Sequence, residues 1–123
     1  MVEIVRTFRE SGKLRSEVFV INGKKEGEYK QYWDNGQLLT ICSYIDNKKN
    51  GVYKQYYDNG QLWSICSYTN GKKNGEFKVY WCNGQLCEIY SYTNDEINGE
   101  FKQYNYDGEL IESSIFENNI KIE

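Results

Sequence analysis

Hydrophobic and aromatic positions along the chain fall in short runs separated by polar turn residues. The run Gly51-Val52-Tyr53-Lys54-Gln55-Tyr56-Tyr57 is followed by Asp58-Asn59-Gly60-Gln61 and then by Leu62-Trp63-Ser64-Ile65-Cys66-Ser67-Tyr68. In order these predict a strand, a turn and a strand. The passage recurs. Gly27, Gly51, Gly75 and Gly99 stand 24 residues apart, and so do Gly12, Gly36, Gly60, Gly84 and Gly108. Two positions after each member of the second series comes Leu14, Leu38, Leu62, Leu86 or Leu110. A fixed period of this kind marks a repeat architecture. Five copies, approximately 3–26, 27–50, 51–74, 75–98 and 99–123, fill the chain as one domain with no linker.

Asn35-Gly36, Asn59-Gly60 and Asn83-Gly84 lie between apolar runs, which predicts two-residue type I′ turns with positive φ at both central residues. Ser11-Gly12 and Asp107-Gly108 are weaker versions. Such a turn would pair Cys82 with Gln85. Polar connections such as Asn70-Gly71-Lys72-Lys73-Asn74-Gly75 supply the second reversal. One hairpin is marginal in water, so the copies must lie against one another. The exact period then aligns residues in columns: Tyr29, Tyr53, Phe77 and Phe101, led by Val5; Tyr32, Tyr56, Tyr80 and Tyr104, led by Phe8; and Tyr44, Tyr68, Tyr92 and Phe116. Two strands per copy at roughly 4.8 Å predict a rod on the order of 50 Å long.

Composition agrees with strands. The chain has no Pro, His or Ala, while Tyr reaches 12 and aromatics 16%. The best helix former is absent, and the residues that suit a pleated, half-buried surface abound. The expectation is an all-β protein: an elongated, twisted antiparallel sheet of stacked β-hairpins. A net charge of −3 creates no general field for nucleic acid or an anionic membrane. The first residues form no apolar leader, and no run approaches the ~18 apolar residues of a membrane helix, so a cytoplasmic location is expected.

GEYKQYWDNGQL (27–38), GVYKQYYDNGQL (51–62) and GEFKVYWCNGQL (75–86), each followed by a strand ending in Tyr, resemble MORN repeats. More narrowly they are similar to the variant MORN repeat of bacterial proteins described as antitoxins and of giant DNA viruses. A viral source would place the chain in host cytoplasm or virion, and the excess of Lys over Arg, typical of A+T-rich coding, suits it. The resemblance implies an open sheet used for protein association, dimerisation or attachment near membranes. It also implies no catalysis, because enzymes with such repeats keep it in a separate domain. The chain departs from the pattern at Asn94-Asp95-Glu96-Ile97-Asn98, at Asn105 where an aromatic stands elsewhere, and at Cys82 in place of Asp.

Candidate chemistry is sparse. With no His and no phosphate-binding glycine loop, nothing points to catalysis, a cofactor or a small-molecule substrate. Asp34 and Asp58 have equivalent settings that would not drive their pKa values apart. Cys42 and Cys66 are one copy apart, about 10 Å, beyond disulfide reach, and no metal-ligand spacing is present, so the cysteines read as free thiols. Lys24, Lys25, Lys48, Lys49, Lys72 and Lys73 recur with the repeat and are expected to form a ridge of six ammonium groups along one edge. That ridge could hold acidic protein, phosphoinositide headgroups or a nucleic-acid backbone with salt-sensitive affinity, or simply keep the turns soluble. Lys30, Lys54, Lys78 and Lys102 run beside Glu28, Glu76 and Glu100, where opposite charges would cancel. Arg6, Arg9 and Arg15 all lie in the first copy, as a charged cap. Trp33, Tyr57 and Trp81 form a column beside the turns, with Trp63 just beyond one; they read as core, or as anchors for a partner if exposed. The functional expectation is a scaffold for protein association or self-association, with two alternatives: a peripheral adaptor on acidic lipid, or an antitoxin-like inhibitor of a partner protein.

Overall fold

The computed structural model describes residues 1–123. It has no helix, hence none long and apolar enough to cross a membrane. The strands are β1 (Val2–Phe8), β2 (Leu14–Ile21), β3 (Lys24–Tyr32), β4 (Leu38–Ile45), β5 (Lys48–Lys49), β6 (Gly51–Tyr56), β7 (Leu62–Thr69), β8 (Lys72–Lys73), β9 (Gly75–Tyr80), β10 (Leu86–Thr93), β11 (Glu96–Ile97), β12 (Gly99–Tyr104), β13 (Leu110–Glu117) and β14 (Ile120–Lys121). All belong to one open antiparallel sheet whose spatial order follows the sequence, as the hairpin reading expects. The two-residue strands β5, β8 and β11 pair with the ends of β4, β7 and β10.

Pairing is uneven. Within a hairpin the ladder runs from Gly51↔Tyr68 to Tyr56↔Leu62. Between the first two hairpins β2 and β3 keep five pairs, but between the third and fourth the ladder shrinks to a seam of two, Ser64↔Val79 and Ile65↔Lys78. Seams β4–β6 and β10–β12 have the same two positions. Each chain segment therefore runs beside the previous copy, bends at Gly51, Gly75 or Gly99, and joins its own hairpin. These glycines have φ of 93–95°, a conformation costly for residues with a Cβ.

Side chains alternate between the two faces. On one face the partners Gln31, Thr40, Gln55 and Ser64 form a polar row. Beside it the rings of Tyr29 and Tyr44, Tyr53 and Tyr68, and Phe77 and Tyr92 meet at 5.6–6.0 Å. This is the tyrosine face. On the other, the open face, Lys30, Ile41, Lys54, Ile65, Lys78, Ile89 and Lys102 stand opposite one another in succession across seven strands.

No second layer covers the sheet. Only 7 of 123 residues are buried, and the accessible area of 7600 Å² exceeds the ~6,900 Å² expected of a compact protein of this mass. What core exists is a stripe along the tyrosine face, where Val18, Cys42, Cys66, Thr40, Ser64 and Ser114 are buried. The buried hydroxyls are satisfied locally: Thr40 Oγ1 donates to Gln31 Oε1 and Ser64 Oγ to Gln55 Oε1, both at 3.3 Å. An unpaired hydroxyl there would cost about 1–3 kcal/mol.

The type I′ turn lies at the opposite end of the hairpin from the one expected. At Asn35-Gly36, Asn59-Gly60 and Asn83-Gly84 positive φ is confined to the glycine, at 88°, 89° and 92°. Gly36 N donates to Trp33 O at 2.9 Å and Trp33 N to Gln37 O at 2.7 Å, which closes a three-residue loop with the glycine as bulge. The closing pair in the fourth copy is accordingly Trp81 with Gln85, and Cys82 is a loop residue. The asparagine contributes its side chain instead: Asn35 Oδ1 accepts from Gln37 N at 2.9 Å, as Asn59 and Asn83 do in their copies. Type I′ geometry appears in the connections. Asn22-Gly23, Asp46-Asn47, Asn70-Gly71, Asn94-Asp95 and Asn118-Asn119 all have two successive positive φ values, from 48° to 83°.

Candidate interaction surface

The six lysines of the connections do not form one ridge. Lys72 stands opposite Thr69 and Lys73 opposite Tyr68, so neighbours in each pair project from opposite faces. Lys25, Lys49 and Lys73 lie on the tyrosine face, each ammonium 4.9 Å from a ring centroid of Tyr44, Tyr53 or Tyr92 and near a second ring. They are engaged within the chain. Their backbones join copy to copy: Lys25 O accepts from Asn47 N, while Lys25 N donates to Asn47 Oδ1 at 2.8 Å. Lys24, Lys48 and Lys72 lie on the open face and are exposed.

The aromatic column beside the turns binds copies together. Trp33 Nε1 donates to Tyr56 O at 2.9 Å, Tyr57 Oη to Tyr80 O, and Trp81 Nε1 to Tyr104 O at 3.1 Å. In the first copy Arg9 Nη2 does the same to Tyr32 O at 2.8 Å. Each bond spans 23 residues and caps a carbonyl at the end of the next copy's first strand. Asn105, at this position in the fifth copy, instead accepts from Asp107 N and Glu109 N at 3.0 Å. Trp63 is half-buried against Tyr57, centroids 5.7 Å apart. The four candidate aromatics are thus half-buried, and three are spent on stapling.

Burial sets the ionisation on the tyrosine face. It pushes the Cys42 and Cys66 thiols above the ordinary range, which keeps them protonated. Burial likewise raises Tyr68 to about 12 and lifts Tyr90, which replaces the buried cysteine in the fourth copy and packs between Phe77 and Phe101.

The open face is where sequence reasoning missed something. Lys30, Lys78 and Lys102 pair with Glu28, Glu76 and Glu100, each at 3.2 Å. The third copy has Val52 in the glutamate position, and Lys54 has no carboxylate within ion-pair reach. Val52 is 50% exposed and Ile45 56%. Val52 and Ile65 line a shallow hollow of about 390 Å³ with Glu28, Ile41, Cys42, Ser43 and Lys54. A second hollow, about 220 Å³, opens on their other side next to Glu76 and Lys78. The signal was a single aliphatic residue in a column of acids.

No curated protein matches the chain. Among solved structures, the crystal structure of TarM gives a TM-score of 0.48 at 18% identity, covering 76% of this chain and 18% of that one. A mutant of S. aureus TarM in complex with fondaparinux, alpha-GlcNAc-glycerol and UDP gives 0.48 at 17%, covering 77% and 19%. The chain spans less than a fifth of the length of either. The MORN repeat variant model matches residues 25–46, 49–70 and 73–94, which are three consecutive copies and more than half of the sequence. By that match the chain belongs to the MORN repeat variant family.

Proposed function

We propose that this chain is a non-catalytic scaffold for protein association and that its open face receives the partner. The carrying observation is a single-layer sheet that covers one face with its own rings and leaves the other uncovered, with Ile45, Val52 and Ile115 exposed among charged side chains. A sheet face of this kind is ordinarily buried against another layer. Rows of isoleucine flanked by lysine supply both the apolar area and the polar rim of an association surface. An antitoxin-like role would be one case of such binding.

The lipid reading finds less support. Half of the lysines that would meet a headgroup layer face away from the other half and sit over rings. The test is capture from host extract by the immobilised chain, wild type against Val52→Asp and against Lys25→Gln/Lys49→Gln/Lys73→Gln. A protein retained by wild type and by the lysine variant but lost with Val52→Asp supports the reading. Retention of acidic vesicles alone, lost in the lysine variant, would replace it.

A further inference from the structure

Two columns on the open face change character along the sheet, and they do so in opposite senses. Lys24, Lys48 and Lys72 are followed at the same repeat position by Glu96, and Glu28, Glu76 and Glu100 are interrupted by Val52. The face around Val52 therefore presents Lys48, Lys54 and Lys72, none of them in an ion pair. Asp46, the nearest acid in the connection, is taken by Lys24 at 2.9 Å. Lys48 lies along the next connection, its Cβ 3.6 Å from where a Cβ on Gly71 would stand. Two copies further on, the same face presents Glu96, Glu100 and Glu117 around Ile115, which is 38% exposed. Lys102, bonded to Glu100 at 3.2 Å, is the cation among them. The polarity extends to the whole chain. Residues 1–74 carry twelve Lys and Arg against eight Asp and Glu, and residues 75–123 carry three against ten.

We infer that the open face pairs with the open face of a second copy of this chain, antiparallel about a two-fold axis. The basic centre around Val52 of each lies on the acidic centre around Ile115 of the other. This inference rests on the scaffold reading and names its partner. Val52 on β6 and Ile115 on β13 are five strand steps apart, about 24 Å at the strand spacing, so the axis passes through the fourth copy, between β9 and β10. There Glu76 and Lys78 of each chain are already paired with each other at 3.2 Å, so the like residues that a two-fold axis brings together leave no net charge there. Three copies overlapping over the length of a strand would cover roughly 600 Å² per chain, about 1,200 Å² in total, the lower end of specific interfaces. Val52 and Ile115 supply apolar contacts on either side of the axis, and opposite charges set register and direction.

Sedimentation velocity on the full chain, over a range of concentrations at low and high salt, tests this. Wild type is expected to be a monomer–dimer mixture that shifts to monomer with salt. Lys48→Glu/Lys54→Glu/Lys72→Glu should raise the dissociation constant about tenfold or more, and Glu96→Lys/Glu100→Lys/Glu117→Lys should do the same. An equimolar mixture of the two variants should recover the dimer, because each again meets the opposite charge; recovery also shows that both fold. Should either triple variant fail to fold, Val52→Lys alone must weaken the dimer. A wild type that stays monomeric at every concentration overturns the inference, as does a dimer indifferent to all of these changes. A monomer that still captures another protein through Val52 would sink self-pairing and leave the scaffold reading standing.

Discussion

The two rims of the sheet carry the same dipeptide in different conformations. At the turn rim, Asn59-Gly60 sits in a three-residue loop with positive φ on the glycine alone; at the connection rim, Asn70-Gly71 is a two-residue turn with φ of 50° and 83°. Loop length makes the difference. Thr69 pairs directly with Lys72 across the connection, leaving two residues to reverse the chain. Tyr57 bonds with Gln61 across the turn, leaving three. Asparagine therefore does two jobs. It tolerates a left-handed backbone at one rim and supplies a side-chain acceptor at the other. The copies are also tied together differently: by long side chains reaching a carbonyl at the turn rim, and by backbone groups with short Asn and Asp side chains at the connection rim.

The largest effect should come from cutting a staple at the turn rim. Trp81→Phe keeps a ring and removes the donor to Tyr104 O, for an expected loss of about 1–3 kcal/mol in denaturant unfolding. Trp63→Phe, with no such bond to lose, should cost less; equal losses would mean that the column acts by packing alone. The turn assignment is sharpened by a pair of glycine substitutions. Asn59→Gly should cost about 1 kcal/mol, since the bond to Gln61 N disappears. Asn70→Gly should stay within about 0.5 kcal/mol, because glycine adopts positive φ freely. Matching small effects at both sites would restore type I′ geometry to the turn rim. The smallest effect is one of pH and belongs to the connection rim. Tyr68 has its pKa raised to about 12 from an ordinary 10, so its contribution is complete below pH 10 and is lost as pH rises through 12. The Tm of wild type should fall across that interval, and that of Tyr68→Phe should fall less steeply.

Much of this was legible in the sequence because the 24-residue period is a one-dimensional statement of the sheet. Columns, hairpins and antiparallel order follow from it. Turn type did not, since Asn-Gly satisfies either loop length and the register of the flanking pairs decides between them. The lysine pairs misled because the connections were read as coil. Once residues 48–49 and 72–73 are strands, adjacent side chains must part to opposite faces. Val52 is a visible exception in the sequence, but three glutamates beside four lysines suggest a column neutralised throughout. The staples were out of reach: Arg9, Trp33, Tyr57 and Trp81 share only a donor at the tip of a long side chain, and its target is a carbonyl whose position depends on the narrow seam.

Those staples give the chain a modular length. Every staple runs to the immediate neighbour, and its acceptor is always the same backbone carbonyl of the repeat. Excising residues 51–74 would bring Trp33 against Tyr80 O in place of Tyr56 O, and no donor would lose its kind of partner. Copies can thus be added or removed without redesigning an interface. Any two features on the open face are then separated by a whole number of equal steps, so the molecule works as a ruler whose graduations are set by gene length.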